Sequence, residues 1–225
     1  MSQPHSQTDL ERIYRLRFGK NQVYRQRVWA ILTERFFQKY VRPDDAVLDL
    51  GCGYGEFINQ IRCGAKFGMD LNPESPRHLD AQVKFLSQDC SERWPLPDAT
   101  LNVVFTSNFF EHLPSKAALA RTLDQAHRCL KPGGRLIALG PNVKFLPGAY
   151  WDFWDHYLPL TELSLSEGLR AHGFDVAACW SRFLPYTMVN APPYPVAFLR
   201  AYLAVPLFWK IFGRQFLLVA VRQQG

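Results

Sequence analysis

The sequence predicts an α/β chain built on a doubly wound, mostly parallel sheet with helices on both faces. Short apolar runs alternate with longer stretches of helical periodicity from residue 46 onward. The first of those runs passes directly into closely spaced glycines, as a buried strand does where it turns into a helix in such sheets. At 225 residues, with 48% hydrophobic and 14% aromatic content, the chain can fill one sizeable core, which excludes disorder as its main state.

Residues 23–40 place Val23, Val28, Ile31, Leu32, Phe36 and Phe37 near helical spacing, with Arg25, Arg27, Glu34, Arg35 and Lys39 between them. That predicts an amphipathic helix, stopped by Pro43. Strands are expected at 46–50, 65–69, 83–87, 101–106 and 135–139, and helices at 54–62, 115–130 and 161–171, the last stopped by Gly173. Residues 174–181 and 215–221 read as two closing strands. Between them, 183–213 is a proline- and aromatic-rich insertion that the alternation does not require.

Five cysteines, at 52, 63, 90, 129 and 179, form no CxxC pair and are odd in number. This excludes a disulfide scaffold and a cysteine-only zinc site and suits a reducing cytosol. No apolar signal-like segment occupies the first thirty residues, and no run reaches the roughly eighteen apolar residues of a bilayer span. The expected location is therefore cytoplasmic. Charge is uneven: residues 1–42 carry nine Lys/Arg against three acids, whereas the remainder is balanced at seventeen of each. Such a basic arm can meet nucleic acid, an anionic membrane surface or an anionic ligand, or it can simply be a solvated face. The expected division is a basic helical arm, 1–42, and a main domain, 43–225.

Residues 48–55 read LDLGCGYG, bringing Asp49, Gly51, Cys52, Gly53 and Gly55 to the first strand-to-helix turn. Glycines there let the backbone approach a nucleotide-like ligand. The GxGxG spacing departs from the GxGxxG of dinucleotide binders, which leaves a nicotinamide dehydrogenase as the weaker alternative. Asp70 follows Gly51 by nineteen residues at the end of the second strand, where a carboxylate can accept both hydroxyls of a ribose. Asp89 follows the third strand, within reach of an adenine amino group. Any one of these acids alone would be read as a cap or turn residue. Three on successive strands converge at one sheet edge.

These segments, LDLGCGYG, GMDLNPE, SQDCSERWPLPDATLNVVFTSNFFEHL and LKPGGRLI, resemble the successive motifs of class I S-adenosylmethionine-dependent methyltransferases over about residues 44–182. The resemblance implies a Rossmann-like sheet of seven strands with the last antiparallel, and S-adenosyl-L-methionine lying across the first strand ends. By motif, Asp49, Gly51, Cys52, Gly53 and Gly55 fall at the amino-acid end of the cofactor. Asp70 and Leu71 fall at the ribose, Asp89 and Cys90 at the adenine, and Asn108 beside the sulfonium. From the arm, Tyr14 with Arg15 or Arg17 is expected near the methionine carboxylate, because arginine can bind a carboxylate bidentately.

Methyl transfer is an in-line displacement in which alignment and desolvation supply most of the rate, although a hydroxyl acceptor must lose a proton. After the fourth strand comes TSNFFEHL, making His112 the first candidate base and Glu111 its orienter; equally, both could open a helix. His156 is the second candidate. It lies in YWDFWDHYLPL, whose Tyr150, Trp151, His156 and Tyr157 either shape an acceptor pocket or pack a core. No His, Cys, Asp or Glu set has metal-ligand spacing, so no metal is expected. The absence of a [DNS]-Pro-Pro-[YFW] tetrapeptide after this strand counts against adenine N-methylation.

The basic arm, the WDFWDHYLPLT segment and the apolar insertion are similar to methyltransferases associated with bacterial surface-glycan and lipid-linked sugar assembly. That resemblance implies a small-molecule, sugar or lipid-linked glycan acceptor, methylated at oxygen. An RNA or protein methyltransferase and a non-enzymatic cofactor-binding protein remain alternatives. Residues 194–213 hold only Arg200 and Lys210 as charges, and Pro206 should kink or divide any helix there. The segment either walls the acceptor pocket or rests at the inner face of the membrane, with Tyr202 and Trp209 at the interface.

Overall fold

The computed structural model describes residues 22–186 and 195–224, together with Arg12. Tyr14, Arg15 and Arg17 lie outside the described residues. The chain runs through α1 (Gln22–Arg35), β1 (Ala46–Leu50), β2 (Ala65–Asp70), β3 (Val83–Ser87), β4 (Leu101–Ser107) and α2 (Lys116–Cys129). It continues with β5 (Leu130–Pro141), α3 (Glu162–Ala171), β6 (Phe174–Trp180), α4 (Val196–Ala204), α5 (Pro206–Phe212) and β7 (Gln215–Arg222). The strands form one seven-stranded sheet in the order β3-β2-β1-β4-β5-β7-β6. β7 is antiparallel to β5 and β6, and every other pair is parallel.

Alternation along the strands sends successive side chains to opposite faces, so the sheet is buried on both sides. Leu48, Leu50, Val104, Leu136 and Leu218 pack with Leu119 and Leu123 of α2 and Leu165 and Leu169 of α3. On the other face Val47, Val103, Phe105, Ile137 and Leu217 pack with Trp29, Leu32, Phe36 and Phe37 from α1 and the chain just after it. The helices start on local caps: the Ser115 hydroxyl accepts the Ala118 N–H at 3.1 Å, and Thr161 and Ser164 form a reciprocal capping box at α3.

One expectation needs correction, and the membrane reading of residues 194–213 is narrowed. Residues 54–62 form a series of turns instead of a helix, with isolated i to i+4 bonds from Asn59 N–H to Gly55 O and from Ile61 N–H to Phe57 O. Gly55, at φ +75°, takes the start of the stretch out of helical conformation, and the Lys66 ammonium donates to the Asn59 carbonyl at 3.1 Å, occupying the acceptor that would carry a helix past residue 62. In the insertion, Pro206 divides α4 from α5, and α5 turns Trp209 inward. Trp209 is 6% exposed, its ring lies 5.0 Å from Phe183, and its indole N–H donates to Tyr202 O at 2.8 Å. The Tyr202 hydroxyl donates in turn to Phe183 O at 2.5 Å. Neither aromatic is therefore available to a lipid interface; Leu207, Phe208, Ile211 and Phe212 face outward. No described helix is long and apolar enough to cross a membrane.

Candidate active site

β1 and β2 end side by side, and the turn after β1 is held to β2 by main-chain bonds from Gly51 and Cys52 N–H to Met69 O, at 2.8 and 3.1 Å. Gly51 has φ +72°, and a Cβ there would stand 2.3 Å from Cδ2 of Phe109, so only glycine lets the β4 loop close over this turn. Asp70 fastens the turn from the other side: Oδ2 accepts the Gly53 N–H at 2.7 Å and Oδ1 the Asn72 N–H at 2.8 Å.

The loop concentrates negative charge. Burial pushes the Asp49 carboxyl well above its ordinary range, Glu56 and Asp70 push the same way, and the Ile58 N–H opposes them. Burial also raises Asp70, against the hydrogen bonds from Asn72, Gly53 and Leu71. Burial and the charges of Asp70 and Asp49 push the Cys52 thiol well up. Arg25 of α1 reaches into the same region, 2.8 Å from Glu56, with both side chains almost wholly buried. Acids clustered in this way, two of them with raised pKa, suit a ligand carrying positive charge.

Further along the edge, the half-buried Asp89 accepts the Ser91 N–H at 2.8 Å. The thiol of Cys90 is turned into the core, where Thr122 donates to it at 3.3 Å and burial pushes it up to about 12. Asn108, at the end of β4, is held at φ +49°, a left-handed conformation uncommon for a side chain other than glycine. Its N–H donates to Leu139 O at 2.8 Å, while its buried Oδ1 finds no hydrogen-bond partner among the described residues.

Asn108 opens onto a cavity of about 1030 Å³. Tyr24, Val28 and Trp29 of α1 form one wall, Phe145, Leu146 and Pro147 after β5 a second, and Phe198, Leu199 and Tyr202 of α4 a third. The wall after β5 was not singled out by sequence, where its three residues sit in an unremarkable FLP run. Of the set read as either pocket wall or core, none of Tyr150, Trp151, His156 and Tyr157 lines the cavity. Tyr150 is buried and its hydroxyl donates to Leu158 O, whereas Trp151 is 55% exposed.

Glu111 and His112 sit in a 3₁₀ turn (Phe110–His112), and the Glu111 carbonyl accepts the N–H groups of Tyr157 and Leu158 at 2.8 and 3.0 Å. That tie brings Asp155 and His156 against the turn. His112 Nδ1 lies 2.8 Å from Asp155 O and 3.3 Å from the Asp155 carboxylate, and the His112 and His156 rings are 5.0 Å apart. Glu111, Asp155 and His156 are buried, and the His112 side chain is 27% exposed. One ligand-type atom from each of Glu111, His112 and His156 lies within 4.8 Å of the others, a proximity that the linear spacing of His, Cys, Asp and Glu does not reveal. The three residues come from the ends of two different strands. The group lies behind the cavity wall: Phe153 stacks on His156 at 4.8 Å and meets Tyr186, a cavity residue, at 5.7 Å.

Residues 22–178 match a family described as a methyltransferase domain. The chain is 29% identical over 185 residues to a demethylmenaquinone methyltransferase of Symbiobacterium thermophilum, covering 71% of this chain and 72% of that one. It is 27% identical over 152 residues to a 2-methyl-6-phytyl-1,4-hydroquinone methyltransferase of Synechocystis, covering 58% of this chain and 46% of that one. The chain thus spans less than half of this second relative. In fold, it superposes with TM-score 0.70 and 20% identity on a chain from a complex between the Haloferax volcanii Trm112 methyltransferase activator and a methyltransferase-like partner, covering 93% of this chain and 96% of that one.

Proposed function

The chain belongs to the methyltransferase-domain family and is an S-adenosylmethionine-dependent methyltransferase, and from that membership we propose that it methylates an oxygen of a small acceptor carrying a long apolar portion, such as a lipid-linked sugar or glycan. The observation that carries this reading is the apolar cavity of about 1030 Å³ beside Asn108, at the upper end of the range for small-molecule sites. The phytyl hydroquinone named for one relative is an acceptor of similar character.

S-adenosylmethionine supplies the methyl group as a sulfonium cation. Asp49, Gly51, Cys52, Gly53 and Gly55 would hold its amino-acid end, Asp70 and Leu71 its ribose, and Asp89 with the main chain of Cys90 its adenine. The fit is supported by the clustered acids of the glycine loop, where burial and neighbouring charge favour a cationic partner, and by the unpartnered Oδ1 of Asn108. Residues 1–42 would act as a lid: α1 already walls the cavity with Tyr24 and Trp29 and pairs Arg25 with Glu56, while Tyr14, Arg15 and Arg17 would reach the methionine carboxylate. Glu111, His112 and His156 would form the group at which the acceptor hydroxyl loses its proton. The outward apolar side chains of α5, with Arg200 and Lys210, would let the enzyme rest on an anionic lipid surface where a lipid-linked acceptor resides.

Incubation with methyl-labelled S-adenosylmethionine and cell extract separated into lipid, glycan, RNA and protein fractions tests the reading. Label is expected in the lipid or glycan fraction, in an alkali-stable methyl ether. Label confined to RNA or protein overturns it.

A further inference from the structure

We propose that Glu111, His112 and His156 bind a divalent transition-metal ion of the zinc class, held behind the wall of the acceptor cavity. Two imidazoles and one carboxylate are a donor set that zinc takes in catalytic sites, leaving a fourth position open. Their ligand atoms lie within 4.8 Å of one another. Around an ion at about 2.0–2.1 Å, tetrahedral ligands stand about 3.4 Å apart, so modest side-chain rotation closes the site.

The neighbours of the three residues favour that arrangement. Asp155 faces His112 Nδ1 with its main-chain oxygen at 2.8 Å and its carboxylate at 3.3 Å. Hydrogen on Nδ1 satisfies both, which leaves the Nε2 lone pair directed away from Asp155; a carboxylate or carbonyl behind the histidine is how metal-bound imidazoles are oriented. Phe153 and Tyr150 enclose His156, at ring distances of 4.8 and 4.7 Å, and fix its plane. A single general base needs neither a second imidazole nor a buried carboxylate converging on the same point. A metal needs all three.

The ion's presence stands independently of the acceptor; its role on oxygen rests on the reading given above. An acceptor hydroxyl at the open position would have its pKa lowered toward neutrality. Its proton passes to bulk water on the half-exposed side of His112. The oxygen's electron pair then forms the O–CH3 bond while the S–CH3 pair returns to sulfur.

The test is calorimetric titration of the chelator-stripped, full-length chain with zinc chloride and, separately, magnesium chloride. One equivalent of zinc should bind, and magnesium, which prefers oxygen ligands, should not. Glu111→Gln, His112→Gln and His156→Gln should each weaken zinc binding at least about tenfold, and Asp155→Asn, behind the ligand, by about tenfold. Affinity for S-adenosylmethionine should be retained in all four, reporting intact folding. His112→Gln alters the most exposed of the rings and decides the matter if the buried variants misfold. Cys179→Ser, which removes an exposed thiol, should leave zinc binding unchanged. Absence of zinc binding by the wild type, or full binding by His112→Gln, overturns the proposal. Zinc binding lost in the variants, combined with label on carbon or nitrogen, would uphold the metal and refute the oxygen acceptor.

Discussion

Replacing Gly51 by alanine separates two effects that usually arrive together. Gly51 and Gly133 have nearly the same backbone conformation, φ +72° and +76°. For an alanine each position imposes the left-handed penalty of about 1–2 kcal/mol. Around Gly133 there is no atom within 4 Å of the added Cβ, so Gly133→Ala should cost that strain alone. With about 2–4 °C per kcal/mol for a domain of this size, its melting temperature should fall by about 2–8 °C. At Gly51 the added Cβ meets Cδ2, Cγ and Cβ of Phe109 at 2.3, 2.4 and 2.9 Å, so the β4 loop must move by roughly an ångström to restore carbon contact near 3.5 Å. Overpacking of this kind costs about 1–3 kcal/mol more. Because Phe109 adjoins Asn108, the shift is transmitted to the candidate methyl-transfer position, and S-adenosylmethionine affinity should fall in Gly51→Ala while remaining normal in Gly133→Ala. Scanning calorimetry and ligand titration on the two variants read both quantities. Equal destabilisation of the two, or wild-type cofactor affinity in Gly51→Ala, would refute the reasoning.

Asp70→Asn keeps the shape of the side chain but can accept only one of the Gly53 and Asn72 N–H groups; losing one bond to a charged acceptor, about 1.5–3 kcal/mol, should weaken S-adenosylmethionine binding roughly tenfold to 150-fold by calorimetry. Asp49 has a raised pKa in the folded protein, so its contribution to stability is present below the unfolded value of about 3.9 and is lost as pH rises through the folded value. Asp49→Asn should therefore raise the melting temperature of the ligand-free protein at neutral pH, by a margin that shrinks toward acid, while weakening the cofactor; an unchanged pH profile of melting would contradict this. Trp209→Ala removes a buried indole and should cost about 3–5 kcal/mol in chemical denaturation, whereas Leu207→Ser and Ile211→Ser, at 60% and 52% exposure, should stay within about 0.5 kcal/mol. If α5 rests on lipid, Leu207→Asp with Ile211→Asp should lower co-sedimentation with anionic vesicles at low salt; equal co-sedimentation of variant and wild type removes the lipid reading.

What the sequence made legible is what local pattern controls. The strand at 46–50, its glycines, and the acids after β2 and β3 announce themselves within a few residues, and the structure places them along one edge. The failures have tertiary causes. Residues 54–62 carry helical spacing in Phe57, Ile58 and Ile61, but Gly55, packed against Leu79, sits at φ +75°, outside the helical region, and an ammonium from β2 takes the Asn59 carbonyl that would have carried a helix past residue 62. Trp209 can be read as an interfacial residue because an indole suits both a lipid boundary and a core, and Pro206 marks a break in the helix without fixing which way the next turn faces. Pro206 resets the helical phase, so the inward face of α5 could not be extrapolated from α4. The sequence leaves Tyr150 between pocket wall and core and does not mark the FLP run, for a related reason: the direction of each side chain is fixed by bonds, such as that from the Tyr150 hydroxyl to Leu158, that composition does not encode.

The convergence of Glu111, His112 and His156 follows from topology in a way that spacing rules cannot anticipate. β4 and β5 are adjacent and parallel, with Ser107 opposite Leu139, so the segments leaving their carboxyl ends start as neighbours however many residues separate them. One segment turns at once into Phe110–His112; the other runs on through 143–155 before returning. The Glu111 carbonyl captures it by two main-chain bonds, which depend on no particular side chain. In a parallel sheet, residues that act together are selected by strand adjacency and not by interval, and motif searches built on short metal-ligand spacings pass over such sets. The same adjacency places the cluster one aromatic ring from the cavity beside Asn108, so that alignment of the methyl group and ionisation of the acceptor would be controlled by two neighbouring strand ends.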